Sequence, residues 1–204
     1  MKKAQEKLCL SCHLDNDDVR QRTAPSAGFI HAYDNSVHGF ALHKKNNGDA
    51  ASCTDCHSSH QIIKGIDSRS SVFKLNIPNT CGKCHSNVQK EFTESIHGQL
   101  VAKGNGDAPS CTNCHGEHNI LKTDDPNSPV AFQNVSREIC SPCHESMKLS
   151  EKYGISANRY KTFSQSYHGL ALSGGSASVA NCGSCHGVHN IKPSSDPSSM
   201  VNKN

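Results

Sequence analysis

At 204 residues the chain has room for one or two domains, but it is only 34% hydrophobic, has a mean hydropathy of −0.61 and contains no Trp, which excludes an ordinary side-chain core. No run approaches about 18 apolar residues, so no membrane span is expected. The net charge of +3 comes without a basic stripe interleaved with aromatics, which argues against nucleic acid, and the twelve Cys and fourteen His leave a disulfide scaffold, zinc sites or covalent haem.

In chain order, the first pattern is Cys-x-x-Cys-His at Cys9, Cys12 and His13. No apolar segment precedes it, so no secretion signal is read there and one is expected to have been removed. His31 and His43 flank a second pattern, Ser-x-His-Gly, at 36–39 with His38. A loop over 46–52 leads to Cys53, Cys56 and His57, with His60 three residues further on. A polar leader beginning Asp67-Ser-Arg-Ser-Ser-Val precedes Cys81, Cys84 and His85. Residues 86–100 are then predicted as one helix, with Ser86 as cap and Phe92, Ile96 and Leu100 on one face beside His97, the His of the second Ser-x-His-Gly at 95–98. A loop over 105–110 leads to Cys111, Cys114 and His115, with His118 three residues beyond. The leader Asp125-Pro-Asn-Ser-Pro-Val and a helical segment over 136–153, capped by Ser136, carry Cys140, Cys143 and His144. Met147 could offer a thioether to iron, but packing is the expectation there. A helix over about 159–172, with Tyr160, Phe163, Tyr167 and Leu170 in phase and Gly174-Gly175 after it, holds His168 of the third Ser-x-His-Gly, at 166–169. A loop over 174–181, the motif Cys182, Cys185, His186 and then His189, and a third leader, Asp196-Pro-Ser-Ser-Met-Val, complete the series. No stretch alternates as a strand.

Six Cys-x-x-Cys-His motifs use all twelve Cys. Two thiols at this spacing can add to the two vinyl groups of one porphyrin while the next His is carried under the ring to bind iron. Zinc also uses Cys-x-x-Cys pairs but gives no reason for His to follow each time. At the overall His frequency, six such coincidences have a chance on the order of 10⁻⁷. The expected cofactor is therefore haem c, six per chain, with His13, His57, His85, His115, His144 and His186 as proximal ligands. Of the other eight His, three stand in Ser-x-His-Gly (His38, His97, His168) and three in Cys-His-x-x-His (His60, His118, His189). Together they equal the number of haems and are the expected distal ligands, with His31 and His43 spare and read as solvated. Gly after the distal His is expected to let the backbone lie against a porphyrin face.

The patterns form an internal repeat: haem motif, Ser-x-His-Gly, then haem motif with x-x-His. Cys9 to Cys81 spans 72 residues and Cys81 to Cys140 spans 59, with His38 to His97 and His97 to His168 similarly offset. Residues 1–64, 73–122 and 132–192 are read as three two-haem modules of one unit, and 193–204 as a polar tail. Within a module the x-x-His cannot reach round to the adjacent iron. It is expected to serve the first haem of its own module, while the Ser-x-His-Gly His serves the second. A competing scheme passes each x-x-His to the first haem of the next module. It leaves His189 without a target and the Cys9 haem needing His31 or a His from another subunit.

The residues Ser95-Ile-His-Gly, Cys111-Thr-Asn-Cys-His-Gly-Glu-His and Cys140-Ser-Pro-Cys-His, with their counterparts, resemble multihaem cytochromes c of the doubled-motif, cytochrome c3-like kind, including conduit cytochromes of the outer membrane and cell exterior. The resemblance implies a haem-dominated fold: mostly loops with several short α-helices, little or no β-sheet, and a haem stack as core. It implies an electron-transfer protein, a carrier or wire of bis-His haems exchanging electrons at porphyrin edges, and not an enzyme. Its partners would be redox proteins or extracellular acceptors, and its place periplasmic or extracellular. The alternatives are a reductase of a small nitrogen or sulfur oxyanion with one open haem, and a subunit of a polymeric cytochrome filament. Haem propionates would bring the formal charge to about −3 oxidised and about −9 reduced.

Overall fold

A computed structural model describes residues 1–14, 16–23 and 31–203, with side chains left aside at 20, 22 and 23. Parts of the first module and the last residue of the tail, 15, 24–30 and 204, lie outside the described residues. The chain is helical, and no strand forms among the described residues.

One packing arrangement occurs three times. The segment carrying the first motif of each pair lies on the helix carrying the second: Lys2–His13 on Cys53–His57, Ile77–Gly82 on Cys111–His115, and Val135–Cys140 on Cys182–His186. Cys53–His57 also touches Ile77–Gly82, so one pair of motifs runs into the next. The three leaders share a turn. The side chains of Asp67, Asp125 and Asp196 accept from the N–H two residues on, at 2.9, 2.8 and 2.8 Å, and their carbonyls accept from the N–H three residues on. Asp is suited to this because its short carboxylate reaches its own downstream backbone.

Long helices expected from periodicity are broken. Residues 86–100 form two helices, Ser86–Glu94 and Ile96–Ala102, and Ser86 is the first helical residue, His85 standing at the cap. Phe92, Ile96 and Leu100 keep their spacing across the break, but Ser95 turns extended and its Oγ accepts from the Gly98 N–H at 3.0 Å. A serine hydroxyl that captures a backbone donor starts a new helix instead of continuing the old one. Residues 159–172 divide the same way into Arg159–Ser164 and Tyr167–Ser173, with Ser166 as cap. The segment over 136–153 becomes Val135–Cys140, in π-helical form, then Ser141–His144 and Met147–Tyr153. Ser136 is buried inside the first of these, its Oγ accepting from the Cys182 N–H at 3.0 Å, and Ser146 caps the last.

Among the described residues the buried apolar side chains are few, and three of the seven are Ala: Leu42, Ala50, Ile77, Val101, Ala108, Ala131 and Leu172. Buried Ser is as common, at Ser36, Ser52, Ser70, Ser95, Ser110, Ser128, Ser136 and Ser141. Burying one aliphatic side chain contributes roughly 1.5–3 kcal/mol, while ordering one residue costs on the order of 1–2 kcal/mol, so this set is too small to hold the chain by side-chain packing alone.

Candidate functional site

The second motif of each pair is a self-capped turn. Cys53–His57, Cys111–His115 and Cys182–His186 each begin after a buried polar residue: Ser52, Ser110 or Asn181. The backbone N–H of that residue donates to the side chain three places on: to Asp55 at 2.7 Å, Asn113 at 2.9 Å and Ser184 at 3.1 Å. These are capping boxes built over a buried cap. Each turn ends at positive φ, on Ser58 (68°), Gly116 (79°) and Gly187 (75°). That reversal directs the x-x-His away from the turn carrying the proximal His.

The Ser-x-His-Gly His stands on a different device. Helices Val37–His43, Ile96–Ala102 and Tyr167–Ser173 are capped by Ser36, Ser95 and Ser166, which accept from the N–H of Gly39, Gly98 and Gly169. Three residues before each Ser is an aromatic residue, Tyr33, Phe92 or Phe163, whose carbonyl accepts from the Ser N–H at 2.9, 3.0 and 2.9 Å. The Gly has no room for a side chain. A Cβ there would lie 2.0, 1.9 or 2.1 Å from that aromatic residue's carbonyl oxygen. Gly therefore allows close approach to the preceding backbone. The full motif is aromatic-x-x-Ser-x-His-Gly. Its aromatic position was visible in the sequence as a threefold coincidence but carries no periodic signal. Six residues after each Ser, Leu42, Val101 and Leu172 are the buried anchors of the three helices.

The two devices bring their His against motif His across the module boundaries. His38 faces His85, and His97 faces His144, with ring centres 6.1 and 6.3 Å apart. His118 faces His57, and His189 faces His115, each at 6.0 Å. Neither expected pairing is the one formed. Ser-x-His-Gly passes its His forward to the first motif of the next module, and Cys-His-x-x-His passes its His back to the second motif of the preceding one. Ring planes are inclined by 49° and 55° in the forward pairs but by 8° and 21° in the backward pairs. A backbone bond accompanies each exchange: Val37 N–H donates to the Ile120 carbonyl, and Ile96 N–H to that of Ile191, both at 2.8 Å.

These residues fit a porphyrin-bound iron. A metal binds an imidazole nitrogen at about 2 Å and that nitrogen lies about 1 Å from its ring centre, so two imidazoles across one metal have centres about 6 Å apart. Ordinary aromatic pairs also reach about 4.5–7 Å, but they give no reason for every pair to join one motif His to one recurring His. Burial lowers the pKa of His38, His57, His115 and His144 and pushes His97 down to about 4, with nearby imidazoles, and Arg159 at His144, adding to it. Neutral imidazole is the form a metal accepts. All twelve Cys are free thiols, as thioether attachment requires. The first Cys of the two motifs in a module are neighbours: Cys9 with Cys53, Cys81 with Cys111, and Cys140 with Cys182. An open groove of about 400 Å³ beside Cys182–His186 is lined by Val130, Phe132, Val135 and Val188.

Four expected ligands have no other His ring against them among the described residues, and all four are exposed: His13 and His60 in the first module, His168 and His186 in the third. The ring of His168 lies edge-on to Tyr167. His43 Nε2 lies 2.8 Å from buried Glu6 and 3.5 Å from Asp34, His31 is exposed, and Met147 is 65% exposed. Comparison with family models, with curated proteins and with solved structures finds no match for the chain. No helix among the described residues is long and apolar enough to cross a membrane.

Proposed function

We propose that the chain carries electrons through six haems c, each held by one Cys-x-x-Cys-His, in a haem-dominated multihaem cytochrome of the c3-like kind. The observation that carries this reading is the set of four ring pairs, each placing a motif His about one metal's width from a recurring distal His. The thin side-chain core supports it, since porphyrins would supply the missing apolar interior. His57, His85, His115 and His144, each facing a second imidazole, would leave a haem held there no place for a substrate, so the reading is of an electron-transfer protein and not an enzyme. When bound, the haems supply the one-electron chemistry. The chain's own residues anchor each ring through two Cys, hold His in the neutral form and set the order of the sites. Covalent attachment places the protein outside the cytoplasmic membrane, periplasmic or beyond, with redox proteins or external acceptors as partners.

The exposed His13 and His186 favour a second reading, in which an open iron reduces a small nitrogen or sulfur oxyanion. The test is to express the chain in a host that attaches haem c, measure its mass, and add carbon monoxide to the reduced protein. Six haems per chain with no carbon monoxide shift support the carrier. A mass short of six haems overturns the haem count, and a shift at one haem with oxyanion turnover favours the reductase.

A further inference from the structure

Module 1 holds a cluster of metal-ligating side chains that are not among the expected iron ligands. It draws on three elements: Glu6 from helix Lys2–His13, Asp34 from the 3₁₀ turn Tyr33–Asn35, and His43, the last residue of helix Val37–His43. One donor atom from each lies within 4.8 Å of the others. His43 Nε2 stands 2.8 Å from Glu6 Oε2 and 3.5 Å from Asp34 Oδ1.

Three features set the cluster apart from an ordinary ion pair. Glu6 is only 3% exposed, yet its Oε1 has no hydrogen-bond partner among the described residues. His43, expected to be solvated, has a buried Nε2 that is also without one, since its approach to Glu6 is close but not aligned for a hydrogen bond. A buried oxygen and a buried nitrogen left unpaired both cost free energy unless something binds them. Lys2 and Lys3, on the same helix as Glu6, point elsewhere: Lys2 to Asp55 and the Ala50 carbonyl, Lys3 to Asn46 and the His43 carbonyl. The third feature lies in the repeat. Counted from the first Cys of the module and from the aromatic-x-x-Ser-x-His-Gly motif, the corresponding positions are Pro78, Thr93 and Ala102 in module 2, and Arg137, Ser164 and Ser173 in module 3. None of these is His, Cys, Asp or Glu, so folding of the repeated unit does not call for the cluster.

We propose that Glu6, Asp34 and His43 bind one zinc ion. Imidazole together with carboxylates suits zinc, whereas calcium and magnesium are held by oxygen. Donors about 2.0–2.2 Å from one tetrahedral ion stand about 3.3–3.6 Å apart, so Asp34 fits as it stands and the Glu6 carboxylate turns by about half an ångström. The ion gives the unpaired Glu6 oxygen and the His43 nitrogen a shared partner, offsets the two carboxylates, and leaves its fourth position to water. It also ties the helix that ends in the first Cys-x-x-Cys-His to the helix bearing His38, the imidazole that crosses to His85.

The test uses the haem-loaded chain, its haem content fixed by mass, stripped of loose metal by a chelator and with any thiol not consumed by haem blocked by iodoacetamide. Zinc sulfate is titrated in by calorimetry with magnesium in excess, and zinc retained after dialysis is counted by elemental analysis. Wild type is expected to keep one zinc per chain and to melt at a higher temperature with it than without. Glu6→Gln, which preserves the side-chain volume, and His43→Ala are each expected to weaken binding by about 100-fold or more, since outer partners of a metal site already matter by about 10–100-fold. Neither variant should gain in melting temperature when zinc is added. Circular dichroism showing wild-type helix content in the metal-free variants establishes that they are folded, and His31→Ala, at an exposed neighbour, should keep the zinc. Wild type that retains no zinc overturns the proposal. So does zinc held equally by wild type and both variants, or zinc lost in His31→Ala but not in His43→Ala.

Discussion

The two motifs of a module are built in opposite ways. The second is local: a capping box closes within four residues, a positive-φ residue ends the turn, and the x-x-His stands three residues from its own motif His. The first is tertiary. It sits at the end of a helical segment that has no comparable side-chain cap, and the His it receives comes from a helix positioned by contact with the preceding helix or turn. The difference teaches that the module is a poor unit by itself. Each of the four paired sites takes its two imidazoles from different modules, so the repeat is completed only by its neighbours, as in other stacked-repeat architectures.

The largest expected effect comes from removing a His that crosses a module boundary. His97→Ala is expected to turn one haem of six high-spin, and that haem belongs to the Cys140 motif of the next module. His118→Ala should open the Cys53 haem of the preceding module. Site-resolved paramagnetic NMR of the haem methyls checks which haem responds, and a response within the mutated module would reverse the direction of exchange.

Gly98→Ala comes next. The added methyl would meet the Phe92 carbonyl at 1.9 Å, a backbone atom that cannot swing aside. Overpacking of this kind costs about 3 kcal/mol or more, measured as a lower thermal midpoint of the holoprotein. Because the shift is applied to the helix bearing His97, the Cys140 haem should lose low-spin character while the Cys53 haem does not. Asn113→Ala tests the local device instead. It leaves the Ser110 N–H, held at 2.9 Å next to a buried side chain, without an acceptor, at a cost of about 1–3 kcal/mol. The effect on coordination should be confined to the Cys111 haem.

The same contrast separates what is legible in the sequence from what is not. Cys81, Cys84 and His85 stand out because their spacing recurs six times along the chain whatever surrounds it. The recurrences of His97 and His118 stand out in the same way, by repetition alone. The break at Ser95 was hidden because Phe92, Ile96 and Leu100 continue in phase while a hydroxyl captures the Gly98 N–H, a local competition that hydrophobic periodicity does not register. Gly39, Gly98 and Gly169 recur visibly, but their clash with a backbone carbonyl was not legible, since only the angle between each helix and the helix or turn before it brings that carbonyl close. The exchange of His38 and His118 across a boundary was illegible for a different reason. Spacing limits which iron a His cannot reach, but choosing among the reachable ones depends on how modules stack.

The smallest effect distinguishes module 1 from its two copies. Where Gly116 and Gly187 end the second motif, Ser58 stands at φ 68° and ψ 179°, backbone that a side chain with Cβ rarely adopts. Glycine adopts it without steric penalty, though it also widens the freedom of the unfolded chain, which offsets part of the gain. Ser58→Gly is therefore expected to stabilise the holoprotein by about 1 kcal/mol, with the reverse change, Gly116→Ser, destabilising by about 1–3 kcal/mol. Denaturant midpoints of the two variants against wild type decide it. Neither change touches a ring pair, so the Cys53 haem of Ser58→Gly should keep its low-spin spectrum. If Ser58→Gly destabilised the protein, the turn after His57 would owe its shape to contacts of the serine and not to the demands of the backbone, and the likeness between the three second motifs would stop at their caps.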